Sequence, residues 1–422
     1  MKVLLISANT EKTEILPLPL GLACVGAACR AAGHEVVLLN LMFEADAESA
    51  VRASIVDFHP DVIGISVRNI DNQDMASPRF LLPPVRNLAS ACRSVSPAPI
   101  VLGGAGYSIF PAAALRYLGG DIGVWGDGEN TFTALLESLA NSADPHGLPG
   151  VWLPGEPAAG PDLPANLDAL PLPEADLWIP SEAARDKLWI PVQGKRGCPM
   201  VCAFCSTKDI QGLRIRRRSA ELLVTWMEGM VLRGYRNFVF VDATFNIPPT
   251  YAREVCRRIV ERGLDVRLWC IIYPKWVDRE LVELMARAGC REVSLGFESG
   301  SDQVLSNYNK RFHVEEVAII ARMFADAGVR RTGFLLLGGP GETQETVEES
   351  LRLAESLELE SFKVTVGLRI YPATALASAA LARGLIARED DLLQPKFYLE
   401  PELADWLPAR IADYRNTHPQ VM

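Results

Sequence analysis

The stretch "RGCPMVCAFCST", residues 196–207, places Cys198, Cys202 and Cys205 within eight positions. A disulfide joins two thiols, and a structural zinc ion takes four tetrahedral ligands. No histidine or fourth cysteine stands nearby, so the motif is one ligand short of a closed zinc site. Three thiolates can instead hold three irons of a cubane cluster and leave the fourth iron open. The alternatives are chance spacing and a zinc site completed from elsewhere in the chain.

Strand-like and helical stretches alternate around this motif from about residue 188. The strand candidates are "LWIPVQG", "NFVFVDATF", "VRLWCIIYP", "REVSLGFES", "RTGFLLLGG" and "FKVTVGLRIYP". Such alternation predicts a parallel sheet, and six units make a partial (β/α)6 barrel over residues 188–380. The three cysteines follow the first strand at its carboxyl end, where barrel enzymes hold their catalytic groups.

The barrel strands alternate between polar and apolar residues. In the sixth strand, one face carries Lys363, Thr365, Gly367, Arg369 and Tyr371, and the other face is apolar. If the apolar faces pack on the outer helices, the polar faces line the lumen, whereas a barrel filled by its own side chains is apolar inside. The pattern therefore predicts a polar ligand in the lumen, with Arg369 and Tyr371 as candidate cofactor contacts.

Residues 1–142 show five further strand candidates: "KVLLIS", "EVVLLNL", "DVIGISV", "PIVLGG" and "IGVWG". With helices between them, they predict a flavodoxin-like (Rossmann-type) doubly wound domain, which binds ligands at the carboxyl ends of its strands. Residues 143–187 are predicted to be a Pro-rich linker, because residues 145–180 hold nine of the 29 prolines. Residues 381–422 form a short C-terminal extension, whose Phe397, Tyr398 and Trp406 either cover the barrel mouth or pack on the barrel.

Composition narrows the class of protein. Of 422 residues, 49% are hydrophobic and 22% charged, as in a globular protein, and the apolar runs are too short for a signal peptide or membrane span. A net charge of −10 argues against nucleic acid as the main partner. Nine cysteines, most in apolar patterns, fit a reducing compartment, so we expect a cytoplasmic protein. The one basic run, Arg214 to Ser219, is either a solvated lead-in to a helix or an anion site.

The segment 196–207 resembles the cluster loop of the radical S-adenosylmethionine (SAM) superfamily, including the aromatic Phe204 before the third cysteine. The resemblance implies a [4Fe-4S] cluster on Cys198, Cys202 and Cys205. The open iron would be chelated by the methionine amine and carboxylate of SAM. Reduction would then cleave SAM to a 5′-deoxyadenosyl radical.

Other motifs of the barrel can be assigned through the same resemblance. "VDATF" stands where the family often has Gly-Gly-Glu, which nominates Asp242 or Thr244 for the methionine amine. "GFESGS" resembles the stretch that binds ribose and methionine, which nominates Glu298 and Ser299. Helix capping is the alternative role for these last two residues.

Two motifs resemble later strands of the family. "LLLGGPGET" resembles the fifth strand, which approaches adenine, and places Leu337 and Gly338 there. The alternative is that the glycines are needed only for a tight turn. "RIYPAT" resembles the end of the sixth strand, with Ala373 where the family commonly has glycine.

A flavodoxin-like domain ahead of such a barrel resembles the cobalamin-binding branch of the superfamily. The residues that carry this resemblance are "LPLGLACVGAACRAAGHEV", "IVLGGAGYSIFP" and "WGDGENTF". Glycine turns after the fourth and fifth strands would let the backbone approach a large flat ligand or its nucleotide tail. The candidate cobalamin contacts in these turns are Gly103, Gly104, Gly106, Ser108, Gly126, Gly128 and Glu129.

The lower face of cobalamin is predicted to lack a protein histidine. The motif Asp-x-His-x-x-Gly of many cobalamin domains does not occur, and His34 and His59 precede strands, at the wrong end of the sheet. The loop "SVRNIDNQD" after the third strand offers Arg68, Asn69 and Asp71. We expect Arg68, which cannot ligate cobalt, to keep the lower position unoccupied or water-filled, unless this loop is simply solvated.

The resemblance implies a cobalamin-dependent radical SAM methyltransferase. One SAM would methylate cob(I)alamin, and a second would yield the radical that activates a carbon of a small-molecule or peptide substrate. A flavodoxin or ferredoxin would donate the electron. The same cofactors could also serve a cyclisation or rearrangement without methyl transfer. An RNA methylthiotransferase fits less well, since Cys24 and Cys29 fall on one helix. A non-catalytic cobalamin or redox sensor is the alternative from another class.

Overall fold

Two six-stranded sheets organise the chain, one in each of two units. The computed structural model describes residues 1–13, 15–156, 160–180, 185–418 and 421. Unit 1 comprises Met1–Asn72, Arg79–Ala184 and Thr207–Arg217, and unit 2 comprises Gln73–Pro78, Arg185–Ser206 and Arg218–Met422. Parts of the predicted linker (157–159, 181–184) and of the C-terminal extension (419, 420, 422) lie outside the described residues.

The strands and helices follow in chain order. The strands are β1 Lys2–Ser7, β2 Glu35–Asn40, β3 Val62–Ser66, β4 Ile100–Gly103, β5 Ile122–Val124, β6 Val151–Trp152, β7 Trp189–Val192, β8 Lys195–Arg196, β9 Arg216–Arg217, β10 Asn237–Phe240, β11 Arg267–Ile272, β12 Cys290–Glu298, β13 Arg330–Leu337, β14 Ser361–Val366, β15 Leu368–Arg369 and β16 Phe397–Tyr398. The helices are α1 Leu20–Ala31, α2 Ala47–Phe58, α3 Leu82–Val95, α4 Ala105–Ile109, α5 Pro111–Leu118, α6 Gly128–Ala140, α7 Ala175–Trp178, α8 Thr207–Gln211, α9 Ala220–Leu232, α10 Pro249–Glu261, α11 Arg279–Arg287, α12 Asp302–Asn307, α13 Val314–Asp326, α14 Gln344–Ser356, α15 Ala375–Ala382 and α16 Leu407–Thr417. None of these helices is both long and apolar enough to cross a membrane.

The sheet of unit 1 has the strand order β2-β1-β3-β4-β5-β6. Strands β1 to β5 are parallel, and β6 is antiparallel to β5. Val3 to Ile6 of β1 are fully buried, as expected for a central strand covered by helices on both faces. The predicted flavodoxin-like domain is confirmed. Its strand order reverses between β1 and β3, so the loop after β3 begins at the switch point.

The Pro-rich segment packs on unit 1, which differs from the extended linker predicted for it. Strand β6 adds to the sheet edge, and α7 packs against α1 and β2. Leu167, Leu170, Leu177 and Trp178 are buried. The prolines limit regular secondary structure in this segment, but the apolar residues between them are still buried in unit 1.

The sheet of unit 2 has the order β14-β13-β12-β11-β10-β7, with all strands parallel. This confirms the predicted partial barrel. One face of β12 is apolar and buried, with Val293, Leu295 and Phe297. The other face is polar and is hydrogen-bonded across strands: Trp269 Nε1 donates to Ser294 Oγ at 2.9 Å.

The sixth barrel strand ends earlier than its sequence pattern predicts. Gly367 has φ +75°, which breaks the extended backbone after Val366. The next two residues form β15, which pairs antiparallel with β16 of the C-terminal extension. Residues beyond Gly367 therefore do not continue the polar face of β14.

Candidate cluster and cofactor sites

The three cysteines lie in the loop that follows the first barrel strand, as predicted. Cys198 is buried, and Cys202 and Cys205 are half-buried. The amide of Cys205 donates to the carbonyl of Cys202 at 3.2 Å, which turns the chain tightly between the last two thiols. Burial raises the pKa of Cys198 and of Cys202. No disulfide joins any of the nine cysteines, all of which lie in the described ranges.

A buried ion pair fixes the beginning of the cysteine loop. Asp242 Oδ1 accepts hydrogen bonds from the amides of Gly194 (2.8 Å) and Lys195 (3.0 Å), and its Oδ2 lies 3.3 Å from Lys195 Nζ. The side chains of Lys195 and Asp242 are 3% and 1% exposed. Burial lowers the pKa of Lys195 and raises that of Asp242, and their mutual attraction opposes both shifts. Asp242 is thus engaged by the protein, and Thr244 is half-buried after β10; a contact of either residue with the methionine amine stays a prediction.

The middle of the cysteine loop is held by the segment that follows α12. Ala203 N donates to Tyr308 O at 3.0 Å, and Asn309 Nδ2 donates to Val201 O at 2.8 Å. The ring of Phe204 meets that of Tyr308 edge-on, with centroids 5.5 Å apart. The predicted role of Phe204 beside the cluster thus coincides with a packing role in the loop.

The described residues contain no group of three His, Cys, Asp or Glu side chains close enough to hold one metal ion. The zinc alternative therefore lacks an assembled ligand set in this part of the chain. A cubane cluster does not need such convergence, because each thiolate binds a different iron. Three thiols on one short loop match its donor chemistry.

Glu298 and Ser299, the two candidate residues of "GFESGS", contact different parts of the protein. Glu298 has φ +63° at a register shift in β12, and its Oε1 lies 3.1 Å from Lys310 Nζ. Ser299 is fully buried; its Oγ lies 3.1 Å from Ser350 Oγ and accepts from Ser301 N at 3.2 Å. Ser299 is thus hydrogen-bonded within the turn before α12, but it does not cap this helix, whose N-cap is Ser301, and its predicted ligand contact stays a prediction. This turn packs closely against α14, and the packing buries Ser299.

The glycine loop after β13 is covered by the C-terminal extension. A Cβ on Gly338 would lie 2.3 Å from Leu399 Cδ1, and Glu400 N donates to Gly338 O at 2.8 Å. Leu337, the last residue of β13, is fully buried. Both amides of Gly338 and Gly339 donate to Glu342 Oε2. The glycine at 338 is therefore explained by protein packing, and the predicted adenine contact there stays a prediction.

Arg369 was predicted to face the lumen and instead binds the C-terminal extension. Its guanidinium is buried and donates to the carbonyls of Ile370, Leu392 and Leu393. The cause is the break at Gly367, which takes Arg369 out of the sheet. Tyr371 accepts a hydrogen bond from Gln73 Nε2 at 2.8 Å. Among the aromatic residues of the extension, Tyr398 is fully buried by packing.

Ala373 replaces the family's glycine and still adopts the glycine-like backbone. Its φ is +55°, in the left-handed region that glycine enters most easily. Ala373 therefore adopts a left-handed backbone despite its Cβ.

In unit 1 the predicted glycines bring backbone segments together. Gly104 has φ +101°, and a Cβ there would lie 2.6 Å from Val67 O. A Cβ on Gly106 would lie 3.0 Å from Arg68 O, and one on Gly128 would lie 2.8 Å from Val25 Cγ2. These glycines let the turn after β4 approach the loop after β3 and let α6 approach α1. They shape the carboxyl edge of the sheet without showing a direct ligand contact.

Residues after β5 form a buried polar cluster. Ser108 Oγ accepts a hydrogen bond from Gly126 N at 3.1 Å and ties the turn after β5 to α4. Arg216 forms a buried ion pair with Asp127. Burial raises the pKa of Asp162, and the nearby Asp127 and Glu129 raise it further. The predicted ligand residue Glu129 is itself buried in this cluster. The basic run is mixed: Arg216 and Arg218 are buried, whereas Arg214 and Arg217 are exposed, and Ser219 caps α9 as expected for a lead-in to a helix.

The remaining predicted contacts lie at the ends of the strands. Gly103 is the last residue of β4, and Gly126 has φ +90° directly after β5. Arg68 follows β3 and is exposed, although enclosure by surrounding atoms lowers the pKa of its guanidinium. With its amide oriented to satisfy both atoms, Asn69 accepts from Arg68 Nη1 at 3.0 Å. Asp71 is buried.

His34 and His59, which are predicted not to ligate cobalt, do not lie at the carboxyl edge of the sheet. His34 contacts the N-terminal amine of Met1 at 3.3 Å, and His59 ends α2 with φ 52°. Both precede their strands, at the amino-terminal edge of the sheet.

Two family models match the chain. Residues 192–354 match the Radical SAM superfamily, and residues 7–136 match the B12 binding domain. The chain is 26% identical over 399 residues to an uncharacterised methyltransferase of Pyrococcus horikoshii, covering 92% of this chain and 84% of that protein. It is 25% identical over 447 residues to tryptophan 2-C-methyltransferase of Streptomyces laurentii, covering 89% and 74%.

Solved structures share the fold along the whole chain. TsrM, a radical S-adenosylmethionine methyltransferase from Kitasatospora setae with cobalamin and a [4Fe-4S] cluster bound, matches with a TM-score of 0.87 at 22% identity, covering 100% of this chain and 90% of that one. TsrM with its tryptophan substrate and the SAM analogue aza-SAM matches with a TM-score of 0.86 at 23% identity.

The chain therefore combines a B12-binding domain with a radical SAM domain. These two domain matches are what the resemblance to the cobalamin-binding branch of the radical SAM superfamily predicts. Its residues fit the cofactors of that branch. Three thiols follow the first barrel strand, and a flavodoxin-like sheet presents glycine-shaped loops at its carboxyl edge.

The sequence analysis missed several residues around the cysteine loop. Lys195, Lys310, Glu342 and Glu400 are buried charged or ion-paired side chains that hold the loops after β7, β12 and β13. The signal for Lys195 was present, since it stands at the end of an apolar strand directly before the motif. Lys310 stands between aromatic residues in "NYNKRF". A lone charge in such a setting is rarely left unpaired.

Proposed function

We propose that this protein is a cobalamin-dependent radical SAM methyltransferase that transfers a methyl group from SAM, by way of cobalamin, to a carbon atom of a small molecule. The observation that carries the proposal is the three-cysteine loop at the carboxyl end of the first barrel strand, in a chain that also carries a B12-binding domain. The named activities of the relatives from Pyrococcus and Streptomyces support it.

When bound, the cluster supplies the electron for cleavage of SAM, and cobalamin carries the methyl group. The residues of this chain would hold these cofactors and orient them. Cys198, Cys202 and Cys205 would hold the cluster. The Lys195–Asp242 pair fixes the beginning of the loop that bears them, and the backbone carbonyl of Tyr308 and the side-chain amide of Asn309 fix its middle. Such preorganisation matters because small errors in the position of reacting groups reduce rates strongly.

Within this proposal, Thr244 contacts the methionine part of SAM. Arg68, held by Asn69, would face the lower side of cobalamin and, as a guanidinium, could not ligate cobalt. The substrate is a small molecule, with tryptophan the compound to test first because TsrM binds it. A flavodoxin or ferredoxin is the proposed electron donor.

The test is anaerobic reconstitution with iron, sulfide and hydroxocobalamin, followed by reduction in the presence of methyl-deuterated SAM and tryptophan. We expect iron and cobalamin to be retained, and we expect S-adenosylhomocysteine and a deuterated product. A triple alanine variant at the three cysteines should form neither. Deoxyadenosine without S-adenosylhomocysteine, across tryptophan and a set of other small molecules, would instead favour a cyclisation or rearrangement.

A further inference from the structure

One cation stands beside the cysteine loop inside an aromatic enclosure. Lys310 Nζ lies 5.2 Å from the ring centroid of Phe204, 5.8 Å from Tyr273 and 5.9 Å from Phe312. We call these three rings and the ammonium group the Lys310 cage. The side chain of Lys310 is only 6% exposed. Phe204 belongs to the loop itself, between the second and third cysteines, so the cage is built partly from the cluster motif.

The ammonium group is charged despite its burial. Burial alone would lower the pKa of Lys310, but the carboxylate of Glu298, 3.1 Å away, raises it above its ordinary value. The three aromatic rings also favour a cation over their faces. Lys310 therefore presents a fixed positive charge to the loop at any working pH.

The cysteine loop itself is held by groups other than this charge. The backbone carbonyl of Tyr308 and the side-chain amide of Asn309 already bind the loop at Ala203 and Val201. A hydrophobic side chain of similar length would fill the cage as well. A buried charge that packing does not require needs another explanation.

That explanation lies in the electrostatics of the cluster. Reduction adds one negative charge to a group that already carries three thiolates, and cluster potentials depend on nearby charge and on exposure. A cation in a low-dielectric surrounding stabilises the more negative state. The partial neutralisation by Glu298 would limit this effect.

We propose that Lys310 is a positioning residue that eases reduction of the cluster by placing a fixed positive charge beside Cys202, and that Glu298 tunes this charge. The inference rests on the proposed function, because it requires the cluster. It makes a prediction of opposite sign for the two partners. Loss of Lys310 makes the reduction potential more negative, and loss of the charge on Glu298 makes it more positive.

The test uses the full chain, reconstituted with its cluster and kept free of SAM. The reduction potential is measured by anaerobic titration followed by electron paramagnetic resonance, with iron content and thermal midpoint recorded in parallel. Lys310→Met should keep the iron and shift the potential down. Lys310→Arg should restore it toward the wild type, and Glu298→Gln should shift it up.

Asn309→Gly is the matched control, because it removes a clamp on the same loop without changing charge and suits the φ of +59° at this position. It should lower iron occupancy and leave the potential of the bound cluster unchanged. An unchanged potential in cluster-bearing Lys310→Met overturns the inference. If Lys310→Met holds no cluster, Glu298→Gln decides, and a downward or absent shift there overturns it. A wild-type protein that takes up no cluster overturns the proposed function as well.

Discussion

At the scale of single residues, the cysteine loop depends on charges that the cluster does not touch. The Lys195–Asp242 pair is buried in the barrel, where an uncompensated charge is far more unfavourable than at the surface. The pair joins the end of β7 to the end of β10. A change at either residue therefore acts on the first residues of the loop.

Asp242→Asn should destabilise the protein by about 3–5 kcal/mol, because it leaves the ammonium group of Lys195 buried without its counter-charge. The free energy of unfolding would be measured by urea denaturation. The double variant Asp242→Asn with Lys195→Met should recover much of the loss, since both charges are then gone. Lys275→Met, at a more exposed ion pair with Glu316, serves as the control and should change stability by about 0–1 kcal/mol. Equal stability of Asp242→Asn and the wild type would contradict the argument.

Glu342 should make stability depend on pH. Burial raises its pKa to about 7 from an ordinary value of 4.5, and within the described chain its Oε1 has no hydrogen-bond partner. The folded state then binds more protons than the unfolded state between these values, so stability falls as pH rises from about 4.5 to about 7. Glu342→Gln should remove this fall, up to about 3 kcal/mol, and should be more stable than the wild type at pH 8. Denaturation at pH 5 and pH 8 checks this, and equal pH slopes for both proteins would refute it.

At the scale of elements, the C-terminal extension is part of the barrel. Strand β16 pairs with β15, α16 packs on β14, and Glu400 binds Gly341 N at 2.9 Å while forming an ion pair with Arg383. The contact that ties these elements to the glycine loop is the approach of Leu399 to Gly338. The extension therefore controls the shape of a loop that the family resemblance assigns to SAM.

Gly338→Ala should loosen the extension. The substitution brings a Cβ to 2.3 Å from Leu399 and forces a side chain into φ +92°, so the segment around Leu399 must move. Gly263→Ala is the matched control, because it has φ +61° but nothing within 4 Å, and it should show only the strain of about 1–2 kcal/mol. Limited proteolysis should cut Gly338→Ala faster than the control between residues 385 and 400. Equal cutting rates would show that the loop absorbs the methyl group.

At the scale of the whole molecule, the regular part of the fold follows from the sequence pattern, and the irregular part does not. Alternating strands and helices predict both parallel sheets, because period and length decide these elements. The pattern fails at Gly367, where one glycine ends the strand and sends Arg369 to the extension. The pattern also did not predict the burial of Trp178, which makes the Pro-rich stretch part of unit 1 instead of an extended linker.

The candidate site could likewise be predicted from the sequence only in part. The cysteines could be located because three thiols at that spacing have few other uses. The surroundings of Asp242, Ser299 and Arg369 could not be predicted, because each side chain binds a partner distant in sequence: Lys195 in β8, Ser350 on α14 and the carbonyls near Leu392. Gly104 was predicted to let the backbone approach a ligand, and this stays a prediction; the structure shows that it lets the backbone approach Val67 O.

A substitution that abolishes binding of one cofactor should leave binding of the other intact, because the residues assigned to cobalamin and to the cluster lie in different units. Gly104→Ala places a Cβ 2.6 Å from Val67 O and 2.9 Å from Ser66 Oγ, which must displace the turn after β4 at the carboxyl edge of the sheet. We expect this variant to lose retained cobalamin and to keep its iron. The triple alanine variant at the cysteines should do the reverse. Gly119→Ala, with φ +71° and nothing within 4 Å, is the control and should keep both cofactors. Cobalamin absorbance and iron content after gel filtration measure both losses on one sample. If Gly104→Ala kept cobalamin, the turn after β4 would not shape that site, and if it lost the iron too, the variant would have damaged more than its own domain.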